Sequence, residues 1–496
     1  MHRSALRGGA GIGVISALSL ATATIGGGAA RASFPVPRPA VSDWAQLTTS
    51  TTPPTIAQCV SAGRRCFSPQ SILNSYNVTS LHDQGLDGRG ITIAIVDSWG
   101  SDTIAHDLHV YDTAFGLPPM CGEEAVTCTA GMPTFTVFHP QGSPATTPQP
   151  GNGTGQEDRT IWALEVSLDV ELAHAFAPGA NILLVATTPA ETLGVPGFPN
   201  MMNAEQFVID NHMAQVISQS FASAEDAFGS VTSLEQLRHA FQSAAANGVT
   251  VLGSSGDGGT ANIRWQPVAK GGTLIPFPTV EWPASDPLVT GVGGTYLCTD
   301  AATGTTVDSS PPSGQCPLHP GQREVGWIAA GGGFSHVFAR PSYQDTLPAG
   351  STPIGAARGV PDIGSQASSR TGALIYITLP PAGLSGLICP GGIPCSTGWF
   401  DIGGTSLSCP EWAGLVAIAD QINGGGLGLI NPGLYKIGAD PTRYANDFFD
   451  VTTGLNQTVA SVPGFPATTG WDPITGLGTP NAAVLLPDLV SAVHGN

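Results

Sequence analysis

Ile91-Thr92-Ile93-Ala94-Ile95-Val96-Asp97 is the stretch on which the fold turns. A nearly unbroken β-branched run without polar alternation reads as a strand covered on both faces, the habit of a parallel sheet. Asn181–Ala186 repeats the pattern, and Val216–Ser220, Val249–Gly253 and Leu288–Val292 continue it. Between these runs, apolar residues at helical spacing predict helices near Thr160–Phe176, Ala204–Met213 and Leu234–Ala246. Strand and helix in this alternation require right-handed crossovers, so the expected fold class is α/β. The architecture is a doubly wound, mainly parallel sheet with helices on both faces, in a single large domain. Ligands of such sheets collect at the carboxyl ends of the strands.

Composition narrows the function. The chain has 496 residues, 17 Lys+Arg against 36 Asp+Glu and a formal net charge of −19. That balance argues against nucleic acid and anionic membrane surfaces as partners, because both require basic patches. With so few cationic side chains, protonating the carboxylates leaves little positive charge to repel the fold apart, which suits work at low pH.

The first residues read as an export signal. Arg3 and Arg7 precede a mildly apolar Gly11–Ile25, and Ala30-Arg31-Ala32 offers small residues for cleavage after Ala32. Residues 33–65, rich in Ser, Thr and Pro, read as an extended N-terminal segment ahead of a main domain over 66–496. No later stretch is long and apolar enough to span a membrane, so a secreted, extracellular product is expected. The nine cysteines support an oxidising destination: Cys59 with Cys66, Cys121 with Cys128, Cys298 with Cys316 and Cys389 with Cys395 form close pairs, leaving Cys409 as a buried free thiol. Their pattern does not suit structural zinc. Two loops, Gly131–Glu157 and Gly304–Gly321, and three N-x-S/T triplets beginning at Asn77, Asn152 and Asn456 complete the inventory.

Three segments carry acid, base or hydroxyl chemistry. In Gly403-Gly404-Thr405-Ser406-Leu407-Ser408-Cys409-Pro410, Ser406 falls in the first turn of an apolar helix, where the positive end of the helix dipole favours an oxyanion. Thr405 and Ser406 equally suit a simple helix cap. Glu165 and Asp169 are four apart on the helix near Thr160–Phe176 and share a face, so their repulsion raises the proton affinity of at least one. A solvated helix face would look the same. Asp257, in Ser255-Gly256-Asp257-Gly258, follows an apolar strand and reads either as a turn former or as an acid at a ligand-binding edge. A subtilisin-like Ser-His-Asp arrangement fails, because none of the 11 histidines opens a helix in a His-Gly-Thr context. Glu171 and His174 point away from the Glu165 face and read as structural.

Together these segments resemble the sedolisin (serine-carboxyl peptidase) family, its kumamolisin-like members especially. The resemblance rests on Gly88–Asp97, Glu165-x-x-x-Asp169 followed by Ala177-Pro-Gly-Ala180, Ser255-Gly-Asp257, Trp282-Pro-Ala-Ser285 with Val292-Gly-Gly-Thr295, Arg358–Ile363, and Gly404-Thr-Ser406-x-x-x-Pro410, covering most of the chain from about Cys66 onward. It implies a subtilisin-like fold with Ser406 as nucleophile, Glu165 as general base, Asp169 supporting it and Asp257 helping to bind the oxyanion. It also implies a calcium loop at about 447–480, in which Asp450 and Asp472 bind one Ca²⁺ by side chain and Val451, Thr468 and Gly470 by carbonyl. Hard oxygen ligands suit that ion.

The expected protein is a secreted, monomeric endopeptidase that hydrolyses proteins or peptides in acid through an acyl-enzyme. A tripeptidyl-peptidase, with Gly131–Glu157 or Gly194–Asn200 blocking the cleft, and a non-catalytic binding protein are the alternatives. The sequence departs from the family in two ways. No long prodomain separates the signal from the catalytic region, and Asp97 and Phe221 stand where kumamolisin-like enzymes tend to have a glutamate and a tryptophan. Asp97 reads as either a shorter supporting acid or a structural strand end.

Overall fold

The run at Ile91 forms the strand Thr92–Ser98, and its side chains go alternately to two cores. Ile93 and Ile95 join the larger cluster on one face of the sheet, while Ala94 and Val96 join the other. This is what a strand buried on both sides requires. The structure, a computed structural model, describes residues 36–142, 156–188, 197–265, 272–309, 311, 313–381 and 383–495. The signal reading over 1–32, the triplet at Asn152, and the parts of the two candidate barrier loops at 143–155 and 194–196 lie outside the described residues.

The main sheet has eight strands. Phe135–Phe138, Asn181–Thr187, Thr92–Ser98, Val216–Gln219, Thr250–Ser254 and Thr290–Leu297 lie side by side in that order and run parallel. Thr290–Leu297 also pairs with Ile363–Gln366 in parallel and with Glu324–Gly326 antiparallel. From Thr92–Ser98 the chain goes to the edge strand Phe135–Phe138, returns through Asn181–Thr187 beside Thr92–Ser98, then crosses to Val216–Gln219 and builds toward the other side. The switch point, where open α/β sheets place ligands, therefore lies beside the carboxyl end of Thr92–Ser98.

Two long helices pack on one face. Gln156–Phe176 and Thr405–Asn423 are buried along most of their length, and both contribute to the larger core. They approach closely because residue 414 is glycine; a Cβ there would lie 2.4 Å from that of Phe176. Gly197–Asp210 and His239–Asn247 cover the opposite face. The helix expected over Leu234–Ala246 is divided into Val231–Glu235 and His239–Asn247. The one expected over Ala204–Met213 is placed earlier, and His212 with φ of 51° lies beyond its end.

Residues 36–65 are woven into the domain. Asp43–Thr48 pairs antiparallel with Gly398–Gly403, Arg38–Pro39 with Phe221–Ala224, and Ile56–Ser61 is helical with a Thr55 capping box. The four disulfides join the cysteine pairs read from the sequence. Cys409 is free and buried, its thiol pushed up to about 12 by burial, which leaves it unreactive. Of the glycosylation triplets, Asn456 is buried with its amide donating to the carbonyls of Ala330, Gly332 and Pro473, so it leaves no room for a sugar.

Candidate active site

At the switch point the carboxyl ends of three neighbouring strands deliver Asp97, Ser220 and the loop holding Asp257. The helix Gln156–Phe176 brings Glu165 and Asp169 to the same place, and Thr405–Asn423 brings Ser406 in its first turn. Glu165, Asp169, Asp97 and Ser406 are all fully buried, so the carboxyl pair is no solvated helix face.

Burial is the main reason that Glu165 sits well above the ordinary carboxyl range, with repulsion from Asp169, Asp97 and Asp257 adding to it and the nearby Ser406 hydroxyl partly offsetting it. No hydrogen bond has closed between the two. Neither Glu165 oxygen has a hydrogen-bond partner among the described residues, and Ser406 Oγ donates to the Ser220 carbonyl at 3.3 Å. Burial also raises Asp169, with repulsion from Asp97 adding, while the Ser220 hydroxyl, donating to Asp169 Oδ1 at 2.8 Å, counteracts it. Burial pushes Asp97 up to about 8, and both of its oxygens lack partners among the described residues. Three carboxyl groups in one dry pocket cannot all be charged, so they titrate as a unit and share protons. A serine beside such a cluster can pass its proton to a carboxylate without any histidine.

Asp257 is held by the backbone ahead of the nucleophile. Its Oδ1 accepts from the Thr405 amide at 2.8 Å and the Thr405 hydroxyl at 3.0 Å. Although part of the residue reaches solvent, Oδ2 is buried and unpartnered among the described residues. Burial raises this carboxyl to about 7 against those bonds and the Ser42 hydroxyl, so in acid Oδ2 carries a proton it can donate. Glu281, pushed up to about 8 by burial and by Asp257, extends the acidic cluster on the far side.

Sequence reasoning left Asp97 between two roles; here it belongs to the cluster. It gave Ser220 and Glu281 no functional role and Thr405 none beyond a possible helix cap. The sequence signal for Ser220 was its position just past the end of an apolar strand. Phe221 points into the second core against Phe198, so the polar network stops at Ser220 on that side. Glu171 and His174 lie elsewhere: Glu171 Oε2 accepts from the Tyr376 amide at 3.0 Å, and His174 Nε2 bonds the Pro118 carbonyl at 2.9 Å with Asp112 3.2 Å away.

A small sheet borders the site. Phe221–Ala224 is its middle strand, paired antiparallel with Glu281–Trp282 on one edge and with Arg38–Pro39 on the other. Past Pro39 the chain runs directly over Ser406, whose amide donates to the Ala40 carbonyl at 3.2 Å. That approach requires glycine at 404, where φ is 156° and a Cβ would lie 2.0 Å from the Ala40 oxygen.

Comparison with known proteins places this arrangement. Kumamolisin from Bacillus sp. (strain MN-32) is 30% identical over 441 residues, 88% of this chain and 65% of that protein. Pseudomonas sedolisin, a serine-carboxyl proteinase solved with two molecules of pseudo-iodotyrostatin, superposes with a TM-score of 0.62 at 25% identity, covering 86% of this chain and 99% of the other. This chain belongs to the sedolisin family. Bovine (Bos taurus) tripeptidyl-peptidase 1 is 30% identical over 360 residues, 68% of this chain and 54% of that protein. The sedolisin-family chain thus spans about two thirds or less of the length of these two relatives, 65% and 54%. No protein-family profile matches it. The subtilisin-like architecture expected from the sequence is the one observed.

The calcium-loop residues also come together. The Gly470 amide donates to Asp450 Oδ1 at 3.1 Å and Oδ2 at 3.2 Å, and the Thr468 amide to Asp472 Oδ2 at 3.4 Å. Val451 follows Asp450 and is buried. Among the described residues no cationic side chain pairs with Asp450 or with the fully buried Asp472, and no group of three or more His, Cys, Asp or Glu forms a metal cluster. Two carboxylates held by backbone amides and with no cationic side chain paired to them among the described residues are hard oxygen donors, which fit a hard cation better than a soft one.

Proposed function

We propose that this sedolisin-family protein is a secreted serine-carboxyl endopeptidase, active in acid on proteins or peptides. Ser406 attacks the scissile carbonyl while Glu165 takes its proton; Glu165 then returns a proton to the leaving amine, and water hydrolyses the acyl-enzyme by the same route. Asp169, fixed by Ser220, and Asp97 set the proton affinity of Glu165. The Ser406 amide and protonated Asp257 stabilise the oxyanion.

The observation that carries this reading is a buried glutamate, lacking any hydrogen-bond partner among the described residues, near a serine hydroxyl at a helix N-terminus. Endopeptidase rather than tripeptidyl-peptidase action is favoured by the path of residues 36–48, which enter the site on one side of Ser406 and leave on the other. A cleft that holds extended chain on both sides of the nucleophile suits internal cleavage. Asp450 and Asp472, with the carbonyls of Val451, Thr468 and Gly470, would hold one Ca²⁺, which supplies counter-charge to the loop and takes no part in the chemistry. Four disulfides agree with an oxidising, extracellular destination, and the protein acts as a monomer.

The test is digestion of one defined peptide followed by product masses. Internal cleavage by the wild type and none by Ser406→Ala supports the proposal. Successive loss of tripeptides assigns the exopeptidase reading instead, and an inert wild type refutes peptidase action.

A further inference from the structure

We propose that Arg159, stacked on Trp99 at the mouth of the site, binds an acidic side chain of the substrate two or three residues from the scissile bond, so that the enzyme favours glutamate or aspartate there. This rests on the peptidase reading above and adds to it a substrate preference.

The two residues come from two of the elements that build the acidic cluster. Trp99 lies two residues past Asp97, just beyond the carboxyl end of Thr92–Ser98, and Arg159 lies six residues before Glu165 on Gln156–Phe176. Arg159 Cζ stands over the Trp99 ring, 4.6 Å from its centre. That helix runs from the carboxyl edge of the sheet back toward the start of Asn181–Thr187, so its first turns stand outside Glu165. Six helical residues rise about 9 Å, which an extended peptide covers in two or three residues at about 3.3 Å each.

The guanidinium is held ready and left without a partner. Its Nε is buried with no hydrogen-bond partner, and no carboxylate pairs with Arg159 among the described residues. The residue is only half-buried, and its two terminal nitrogens reach solvent. Nothing in the helix itself calls for a cation at this place, because the amino-terminal turn carries the positive end of the dipole and favours an anion. Nor are cations spread freely over the surface, with 17 Lys+Arg among 496 residues. The platform beneath is rigid. Trp99 is buried in the second core with Trp162, and its amide donates to the Thr187 carbonyl at 3.0 Å. Its φ of 66° is rare for so bulky a residue, and the indole N–H is buried without an acceptor. A guanidinium stacked on a fixed ring loses little freedom on binding and presents its planar fork edge-on, the geometry a carboxylate accepts with both oxygens. A substrate lysine or arginine at the same place would meet a like charge.

The experiment uses peptides whose cut bond is known from product masses, carrying glutamate or glutamine in turn at each of the three residues on either side of it. Digestion is followed at pH 5, where a free glutamate side chain, ordinarily at about 4.3, is mostly ionised. Expected is one position, two or three residues from the bond, at which the wild type takes glutamate about tenfold better in kcat/KM, mainly through a lower KM. Arg159→Gln, checked for folding by circular dichroism, brings that ratio close to one, and Arg159→Lys, which keeps the charge without the fork, retains part of it. Equal rates for glutamate and glutamine peptides at every position in the wild type overturn the inference and leave the peptidase reading standing, however the variants behave. A preference for glutamate that survives in Arg159→Gln also overturns it. A wild type that cuts none of the peptides overturns both readings.

Discussion

Asp97 offers a quantitative check on the acidic cluster. It is fully buried beside Glu165 and Asp169, with neither oxygen hydrogen-bonded among the described residues. Its carboxyl therefore keeps its proton to about 8 in the folded protein, against 3.8 when exposed. Between those two values the folded chain binds a proton that the unfolded chain has lost, so stability falls as pH rises. The contribution is complete below the unfolded value and gone above the folded one. At about 1.4 kcal/mol for each tenfold change in proton affinity, a rise from 3.8 to about 8 is worth roughly 6 kcal/mol, an upper limit because the proton is shared with Glu165 and Asp169. Asn at this position does not titrate. In the inactive Ser406→Ala background, which cannot digest itself, urea unfolding followed by tryptophan fluorescence at pH 4 and pH 8 gives the loss of stability between them. Asp97→Asn is expected to shrink that loss by several kcal/mol relative to its parent. Equal pH dependence in the two proteins would refute the placement of Asp97 in a proton-sharing cluster.

The oxyanion assignment predicts that Asp257→Ala lowers turnover by about 10²–10³. Asp257→Asn, whose amide donates at any pH, should retain more activity and extend it beyond the wild type's loss as pH rises through about 7, and a pH–rate profile separates them. If Asp450 and Asp472 bind calcium, EDTA or Asp472→Asn lowers Tm by several degrees and added Ca²⁺ restores it only in the wild type; calorimetry indifferent to all three removes the site. Gly404→Ala places a Cβ against the Ala40 carbonyl oxygen, so it should displace the strand at the start of the Ser406 helix and lower Tm by several degrees, which calorimetry reads directly.

Much of this was legible in the sequence, for identifiable reasons. Ile91–Asp97 announced a doubly covered strand because every position between Thr92 and Asp97 is apolar. Glu165 and Asp169 could be set on one face because helical spacing is local. What brings Asp97 to them is a crossover spanning some seventy residues of chain, which local pattern does not encode. The same is true of Ser220 and Thr405, which matter because of the carboxyl groups that other segments bring to them. Residues 36–42 read as a Ser/Thr/Pro-rich lead-in because the partners of their backbone, Phe221–Ala224 and Ser406, are distant in sequence. The split of the helix after Glu235 escaped notice because both halves keep the same apolar period.

The central claim is that a buried carboxyl takes the serine proton where other hydrolases use an imidazole. Glu165→Gln tests it most directly, since the amide keeps the shape and cannot accept that proton. With the fold verified by circular dichroism, casein digestion at about pH 4 should fall by roughly 10²–10⁴. Digestion at the wild-type rate would contradict the account.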